Sequence, residues 1–253
     1  MQNFSNSPLI VYTCLSPNHS GQRTHNIDMI TIHCMAGNCS IETCGAIFQP
    51  KSRQASSNYG IGSDGRIGMY VEEKNRSWCT SSSANDNRAI TIEVANDGDA
   101  STGWHVSDKA LNSLIDLCYD ICKRNNIKEL KWKNDKSLLF NVEKQNMSLH
   151  KWFANKACPG EYLISKHPYI VSEVNKRLKG VIDMTMTEQE LKDFIIKTVK
   201  EIGLNEDASV WAAETVNKAI ENGITDGSNP KSYATREQVM CMTERVFEKC
   251  KKE

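Results

Sequence analysis

Two similar stretches decide the fold: DMITIH at residues 28–33 and RAITIEV at residues 88–94. Side chains alternate between the two faces of an extended segment. In both stretches the isoleucines therefore point to one face, while His33 in the first and Glu93 in the second point to the other. If both strands belong to one sheet, a histidine and a glutamate share a surface.

Hairpin and helix patterns surround these strands. SNYGIGSDGRIGMYV, residues 57–71, places an Asp-Gly turn between two strand-like runs and predicts a hairpin. SDKALNSLIDLCYDICKRNN, residues 107–126, has apolar residues at helical spacing behind Ser107, a typical N-cap. A further amphipathic stretch covers residues 161–178. Residues 1–178 are thus predicted to form an α/β domain with a central sheet flanked by helices.

The remainder of the chain is predicted to be helical. Residues 179–187 are typical of a linker, and residues 188–253 predict a small all-α domain of three helices. Thr187 and Glu190 form a capping-box pattern for the first of them. The second is expected from about residue 208 to residue 222, with its apolar side chains, including Trp211, packed inward. The third is expected to begin at Thr235.

The charge balance, the apolar runs and the cysteine count exclude some classes of function. Lys plus Arg equals Asp plus Glu at 31 each, so no net charge attracts the chain to nucleic acid or to an anionic membrane. No leader and no run of about 18 apolar residues is present, and synthesis as a soluble cytoplasmic protein is expected. The ten cysteines are then expected as thiols, in the core or as metal ligands. Cys118 and Cys122 fall on an apolar helical stripe and are predicted to be core residues.

LHKWFANKACPG, residues 149–160, combines a histidine and a cysteine in a stretch suited to a loop that folds back on itself. Catalytic zinc takes three nitrogen, sulfur or oxygen ligands from the protein and leaves the fourth position to water. His150 and Cys158 supply two candidates, and His33, at the end of a strand, is the best third. Taken alone, each would more simply be a packed or surface side chain.

Four motifs in order carry a family resemblance: TIHCMAG at 31–37, SSNYGIGSDGRI at 56–67, AITIEVAND at 89–97 and the 149–160 loop. Together they resemble the zinc-dependent N-acetylmuramoyl-L-alanine amidases shared by phage lysozymes and peptidoglycan recognition proteins. The resemblance implies a mixed sheet, and Zn²⁺ bound by His33, His150 and Cys158. It also implies a water that attacks the amide between muramic acid and L-alanine.

The same resemblance implies roles for three further residues. Tyr59 and Lys156 stand where the family places groups that hold the developing oxyanion or steer the water, and Glu93 stands where some members carry a proton-handling carboxylate. The alternatives are that Tyr59 caps a hairpin, Lys156 solvates a loop and Glu93 forms a surface ion pair. Cys79 stands where many relatives have a histidine.

Three cysteines near the first ligand recur every five residues, at Cys34, Cys39 and Cys44. A second metal site is one interpretation of that spacing. Core packing is favoured, because Cys34 should face away from His33 and Cys44 should lie on an apolar helical face.

WAAETVNKAIENGITDGSNPKSYATREQV, residues 211–239, resembles an S-layer homology unit. Such units bind cell-wall polymers, and the resemblance implies contacts from Trp211, Asp226, Tyr233 and Arg236. Alternatively, Trp211 and Tyr233 close a small core. Because only one copy is present, it would bind weakly or assemble with other copies as a homo-oligomer.

These observations favour a peptidoglycan hydrolase, an endolysin from a phage or prophage of a Gram-positive host, that reaches the wall after release by lysis. One alternative is a non-catalytic peptidoglycan-binding module of the same fold, against which the presence of Cys158 argues. Another is an interaction protein whose cysteines bind a structural metal, which should unfold on chelation.

Overall fold

The computed structural model describes residues 4–180, 188–201 and 206–251. The chain divides into two compact units, Met1–Asp183 and Met184–Glu253. None of the helices in the described ranges has the length and apolar character needed to span a bilayer.

The first unit is built on a mixed β-sheet. The strands described there are β1 Tyr12–Thr13, β2 His19–Gln22, β3 Met29–Cys34, β4 Tyr59–Ile61, β5 Ile67–Met69, β6 Asn75–Ser77, β7 Ala89–Val94 and β8 Met147–Ser148. Six of them form one sheet in the order β1-β5-β4-β7-β3-β8, and β2 pairs with β6 in a second. In the large sheet only β4 and β5, the predicted hairpin, run antiparallel to each other among the described pairs. The predicted mixed sheet is confirmed.

Four helices accompany this sheet: α1 Ile41–Phe48, α2 Ser83–Arg88, α3 Asp108–Arg124 and α4 Glu161–Leu178. The predicted N-cap of α3 is confirmed, because the Ser107 hydroxyl accepts a hydrogen bond from the amide of Ala110. Cys118 and Cys122 are fully buried on α3, as predicted for core residues. Helices α3 and α4 pack against each other, and α3 also contacts β4 and β7.

The pairing of β3 with β7 fixes which side chains share a face. The strands are parallel, with Ile32 opposite Ile92 and His33 opposite Glu93. The isoleucines of both strands are fully buried in the core that contains α3, and each fully buried side chain of this size contributes roughly 1.5–3 kcal/mol. His33 and Glu93 therefore lie side by side on the opposite face, as their positions in the two strands predicted.

On the face that carries His33 and Glu93, Gly60 lies in close contact with the ring of Tyr70. A Cβ added to Gly60 would lie 2.6 Å from the Tyr70 ring, so no larger residue fits there without a shift of the ring. The Tyr70 hydroxyl donates to the carbonyl of Ile41 at 2.7 Å and ties the first turn of α1 to this face. Helix α1 is thereby held on the side of the sheet that carries His33 and Glu93.

The second unit contains α5 Glu188–Glu201, α6 Val210–Glu221 and α7 Arg236–Cys250. The predicted start of the third helix is confirmed by a capping box in which Thr235 and Gln238 each accept from the backbone of the other. The predicted cap at Thr187 lies outside the described residues.

The aromatic side chains of α6, of α7 and of the segment between them face solvent. Trp211 is 87% exposed and Tyr233 is 70% exposed, and no described side chain of α5, α6 or α7 is fully buried. The prediction that Trp211 packs inward is therefore wrong, and so is the alternative that Trp211 and Tyr233 close a small core. Trp211 lies in the first turn of α6, where the described part of the unit places nothing over it.

Candidate active site

Three chain segments bring nitrogen and sulfur side chains to one point. His33 comes from the C-terminal half of β3, His150 from a short 3-10 turn, His150–Trp152, and Cys158 from the loop that precedes α4. One potential ligand atom from each lies within 4.8 Å of the other two. The predicted set of three residues thus converges in space, although the first and last are distant in sequence.

The spacing of these atoms suits a single metal ion. Nδ1 of His33 lies 3.3 Å from Sγ of Cys158, and the two imidazole ring centroids are 5.0 Å apart. In a tetrahedral site with ordinary Zn–N and Zn–S bonds, a nitrogen and a sulfur ligand are about 3.6 Å apart. Nε2 of His33 is buried, and no described residue offers it a hydrogen bond. The three side chains therefore fit a metal that prefers nitrogen and sulfur.

The two histidines are held in the neutral form that binds metal. Burial, followed by the charge of His150, lowers the pKa of His33 well below its usual value. Burial, followed by the charge of Lys156, lowers the pKa of His150. Neutral imidazoles keep a lone pair available for coordination at neutral pH.

The loop from His150 to Cys158 closes on itself, as predicted. The amide of Lys151 donates to the carbonyl of Cys158 at 3.3 Å. Gly160 has φ of 86°, and a Cβ there would lie 2.6 Å from the carbonyl oxygen of Gly103 and 2.8 Å from Cβ of Trp104. Glycine is needed at this position because of both its backbone angle and this close approach. The approach holds Trp104 against the loop that carries Cys158.

A cavity of about 330 Å³ opens beside the three side chains. Its apolar walls come from Ile47, Phe48 and Trp104, and it also contains the cations Arg53 and Lys156. Within the described residues, neither cation has an ion pair or a side-chain hydrogen bond. A pocket with apolar walls and a few charged groups is suited to hold part of a substrate in a fixed orientation.

Glu93 lines the same cavity next to the candidate ligands. Its Oε1 is 4.0 Å from Nδ1 of His33 and 3.8 Å from Sγ of Cys79, while its Oε2 is buried and has no partner in the described part of the chain. Burial, with a further contribution from nearby Cys34, raises the pKa of Glu93 to about 8. Among the described residues, Glu93 does not form the surface ion pair considered as the alternative. Cys79 contacts this carboxylate and forms a second close group with His33 and Glu93.

Comparison with known proteins identifies the family. The model of the N-acetylmuramoyl-L-alanine amidase family matches residues 23–161, which is more than half of the chain. The chain belongs to this family. The matched region contains all three candidate metal ligands, Glu93 and the residues of the cavity. The protein is therefore an amidase that hydrolyses peptidoglycan.

Similarity to a solved structure shows the fold. The Staphylococcus aureus hydrolase AmiA, solved in complex with its ligand, is 15% identical over 71% of this chain and 89% of that chain, with a TM-score of 0.51. A mutant endolysin from Bacillus subtilis is 17% identical over 69% of this chain and 99% of that chain, with a TM-score of 0.47. A search of curated proteins gives no significant match.

Tyr59 lies away from the cavity of the amidase. It pairs with Ile92, whereas Gly60 pairs with Glu93, so the Tyr59 side chain projects to the core face. Its hydroxyl donates to Oε1 of Glu73 at 2.7 Å and accepts from the amide of Ser7 at 2.9 Å. The expectation that Tyr59 steers water or holds an oxyanion is therefore wrong for this chain.

Tyr59→Phe is expected to lower stability and to leave turnover unchanged. The substitution removes one donor to a buried carboxylate and the acceptor for a backbone amide, at a cost of roughly 1–3 kcal/mol in the free energy of unfolding. Urea unfolding and amide hydrolysis of a soluble muropeptide measure the two effects. Tyr169→Phe, at a half-exposed position on α4, is the control. A tenfold loss of turnover with unchanged stability would restore the catalytic role.

The cysteines after the first ligand do not converge on a second metal. Within the described residues, no group of three potential ligands includes Cys34, Cys39 or Cys44. Cys44 is buried with Phe48 and Tyr70, which confirms core packing at that position. Cys34 behaves differently from the prediction that it faces away from the site.

Cys34 packs in the main core and also reaches the active site, because it is the last residue of β3 and the Cys158 loop crosses the strand end there. Its amide donates to Sγ of Cys158 at 3.4 Å. The neighbouring thiol is the largest influence on the pKa of each cysteine, raising the pKa of Cys158 and lowering that of Cys34.

Several residues of the amidase site carried no sequence signal. Arg53 lies in a 3-10 turn after α1, and Trp104 lies in an irregular segment held by Gly160. Ser81, whose hydroxyl is 3.5 Å from Nε2 of His150, lies in a run of serines with no distinguishing pattern. They reach the site through loop conformations, which residue periodicity does not predict.

Proposed function

We propose that the amidase uses zinc held by His33, His150 and Cys158 to cleave the amide between the lactyl group of muramic acid and L-alanine. The observation that carries this proposal is the convergence of two imidazoles and one thiol beside a cavity that also contains Glu93. When bound, zinc would polarise the scissile carbonyl and lower the pKa of its water to about 7.

We propose that Glu93 moves the proton. Two observations support this role: among the described residues its Oε2 has no partner, and its Oε1 lies near the candidate ligand His33. In the proposed reaction this carboxylate accepts a proton from the attacking water and passes it to the nitrogen of the departing L-alanine. A single carboxyl group can serve as base and then as acid when it is held within hydrogen-bond reach of both atoms.

Incubation of purified cell walls with the zinc-loaded amidase tests this function. The expected result is the release of new L-alanine amino termini, without new reducing sugar ends. Wall binding without new termini, in protein of full zinc content, would instead favour the non-catalytic binding module.

Lys156 is proposed to stabilise the oxyanion that forms on the scissile carbonyl. It lines the cavity, its charge acts on His150, and the described residues give it no acidic partner. A cation at this position stabilises the negative charge that develops on the carbonyl oxygen as the water adds. The lysine also remains exposed, so solvent weakens the effect relative to a buried donor.

Lys156→Ala is expected to lower kcat by roughly 10- to 100-fold with zinc content unchanged. Lys151→Ala is the matched control, because Lys151 lies in the same loop but pairs with Glu161 at 3.2 Å. Steady-state kinetics on a soluble muropeptide and metal analysis provide the measurements. Equal kcat values in the two variants would remove Lys156 from the reaction.

We further propose that the second unit binds a cell-wall polymer through Trp211, Asp226, Tyr233 and Arg236. Exposed aromatic rings such as those of Trp211 and Tyr233 can stack on sugar rings. Asp226 lines a cavity of about 630 Å³ formed by α6, α7 and the segment between them. Tethering to the wall raises the local concentration of the amidase at an insoluble substrate.

Removal of residues 188–253 is expected to weaken adsorption to walls at least tenfold, while hydrolysis of a soluble muropeptide falls less than threefold. Pelleting with purified walls measures adsorption, and soluble turnover is the internal control. Trp211→Ala in the intact chain tests the same surface without truncation. Unaltered adsorption of both proteins would exclude the anchoring role.

The proposed setting is lysis of a Gram-positive host by a phage or prophage. In this setting the enzyme accumulates in the cytoplasm and reaches peptidoglycan after the membrane is breached. The zinc-loaded protein should then clear suspensions of Gram-positive cells when it is added from outside. Failure to act on any intact or permeabilised Gram-positive wall would contradict this setting.

A further inference from the structure

Two cysteine thiols meet at the edge of the candidate metal centre. Cys34 follows the candidate ligand His33 at the end of β3, and its amide donates to Sγ of the candidate ligand Cys158 at 3.4 Å. Both side chains line the active-site cavity. An amide nitrogen lies one bond of about 1.5 Å from its own Cα, so the Cα of Cys34 lies within about 4.9 Å of the Cys158 sulfur.

We propose that Cys34 and Cys158 form a site of reversible oxidation by hydrogen peroxide, in which Cys34 is the resolving thiol. The proposal rests on the proposed function only in treating Cys158 as a metal ligand. A disulfide between the two cysteines would occupy the sulfur that the metal needs. Oxidation would then release zinc and stop hydrolysis.

The chemistry balances in two steps. The Cys158 sulfur attacks one oxygen of hydrogen peroxide, the O–O bond breaks, and Cys158 becomes a sulfenic acid while the other oxygen takes the thiol proton and leaves as water. The Cys34 thiol then attacks that sulfur, an S–S bond forms, and the sulfenic oxygen leaves as a second water. Two thiols and one peroxide yield one disulfide and two waters.

Cys34 is better placed than the other cysteines of the cavity to complete the second step. Cys44 also lines the cavity, but it packs against Phe48 and Tyr70. Within the described chain, Cys34 is the cysteine whose backbone amide donates to the Cys158 sulfur. The pairing of β3 with β7 and β8 holds the strand that carries Cys34.

The cavity gives the oxidant a route to the sulfur. Cys158 is partly exposed, and the cavity beside it is many times larger than a peroxide molecule. Oxidation of a cysteine beyond the sulfenic acid is irreversible in the absence of dedicated repair enzymes. A neighbouring thiol that traps the sulfenic acid quickly would protect Cys158 from that loss.

The test treats the full-length, zinc-loaded protein with hydrogen peroxide and follows three quantities: released zinc, the masses of peptides prepared without reductant, and activity after dithiothreitol and zinc are added. The expected results are zinc release, a peptide pair that joins Cys34 to Cys158 with the loss of two hydrogens, and recovery of most of the activity. A Cys158 cross-link to Cys39 or to no cysteine would overturn the proposal.

Cysteine variants test the resolving role of Cys34 directly. Cys34→Ser is expected to lose zinc under peroxide but to accumulate sulfinic acid at Cys158, with recovered activity at least tenfold below that of the unsubstituted protein. Cys250→Ser, at an exposed position outside the cavity, is the matched control and should recover normally. Full recovery of Cys34→Ser would overturn the proposal, and the peptide map of the unsubstituted protein remains decisive if that variant does not fold.

The outcome also separates this proposal from the proposed function. Normal zinc content and normal hydrolysis without the Cys34–Cys158 cross-link would refute the oxidation site alone. The cross-link in a protein that neither binds zinc nor cleaves walls would support the thiol pair and refute the zinc amidase mechanism.

Discussion

Replacement of His33 or His150 by alanine, or of Cys158 by serine, is expected to abolish hydrolysis, with a fall in turnover of at least roughly 1,000-fold. The three side chains offer atoms within 4.8 Å of one another, and loss of any one leaves two ligands where a catalytic zinc needs three. Zinc content, measured after dialysis, should fall in parallel with activity in all three variants.

Matched controls separate the metal centre from general effects of substitution. His25→Ala and Cys250→Ser change the same residue types at exposed positions and should keep both zinc and activity. Chelation of the unsubstituted protein should remove activity while most of the fold persists, because the buried core is formed by the sheet, α3 and α4. Full zinc and full activity in Cys158→Ser would contradict the proposed ligand set, and global unfolding on chelation would favour a structural metal.

Glu93→Gln is expected to lower kcat by roughly 100- to 10,000-fold while zinc content and KM change little. Glutamine keeps the shape of the side chain beside His33 but cannot accept the proton of the attacking water. Single-turnover and steady-state kinetics on a soluble muropeptide measure the effect. Glu129→Gln, at an exposed position remote in sequence from the site residues, is the control and should have unaltered kinetics.

Two results would reassign Glu93. If turnover of Glu93→Gln stays within about threefold of the unsubstituted enzyme, a group other than Glu93 transfers the proton. Loss of zinc together with turnover would instead make Glu93 part of the metal centre, as its membership of the close group with His33 and Cys79 allows.

The sheet face and the candidate ligands were predictable because they follow from local rules. Alternation along two similar strands placed His33 and Glu93 on one face, and the observed register sets them opposite each other. The Pro-Gly corner indicated a loop that folds back, and the amide of Lys151, next to His150, donates to the carbonyl of Cys158. In both cases the sequence spacing itself constrains the local geometry.

Tyr59 could not be placed correctly from the sequence, because its direction depends on the register between β4 and β7. A strand shifted by one residue exchanges its two faces. In this chain Gly60, not Tyr59, stands opposite Glu93. The resemblance supplied the position of Tyr59 along the chain, but the buried Glu73 that binds its hydroxyl lies in a separate segment.

The directions of side chains at strand ends and in the terminal turns of helices were not predicted correctly, for a related reason. Cys34 follows the alternation of β3, yet the loop that crosses the strand end brings it to Cys158. Trp211 has the spacing of an inward residue but lies in the first turn of α6. Periodicity describes the interior of an element, where neighbours on both sides restrict the side chain.

X-ray absorption at the zinc edge of the loaded protein tests the central claim most directly. The predicted first shell contains one sulfur at about 2.3 Å and two imidazole nitrogens at about 2.0 Å, with a light atom in the fourth position. Cys158→Ser should remove the sulfur contribution and lower zinc content. A shell without sulfur, or one with two or more sulfurs in the unsubstituted protein, would contradict the assignment of His33, His150 and Cys158 as the metal ligands.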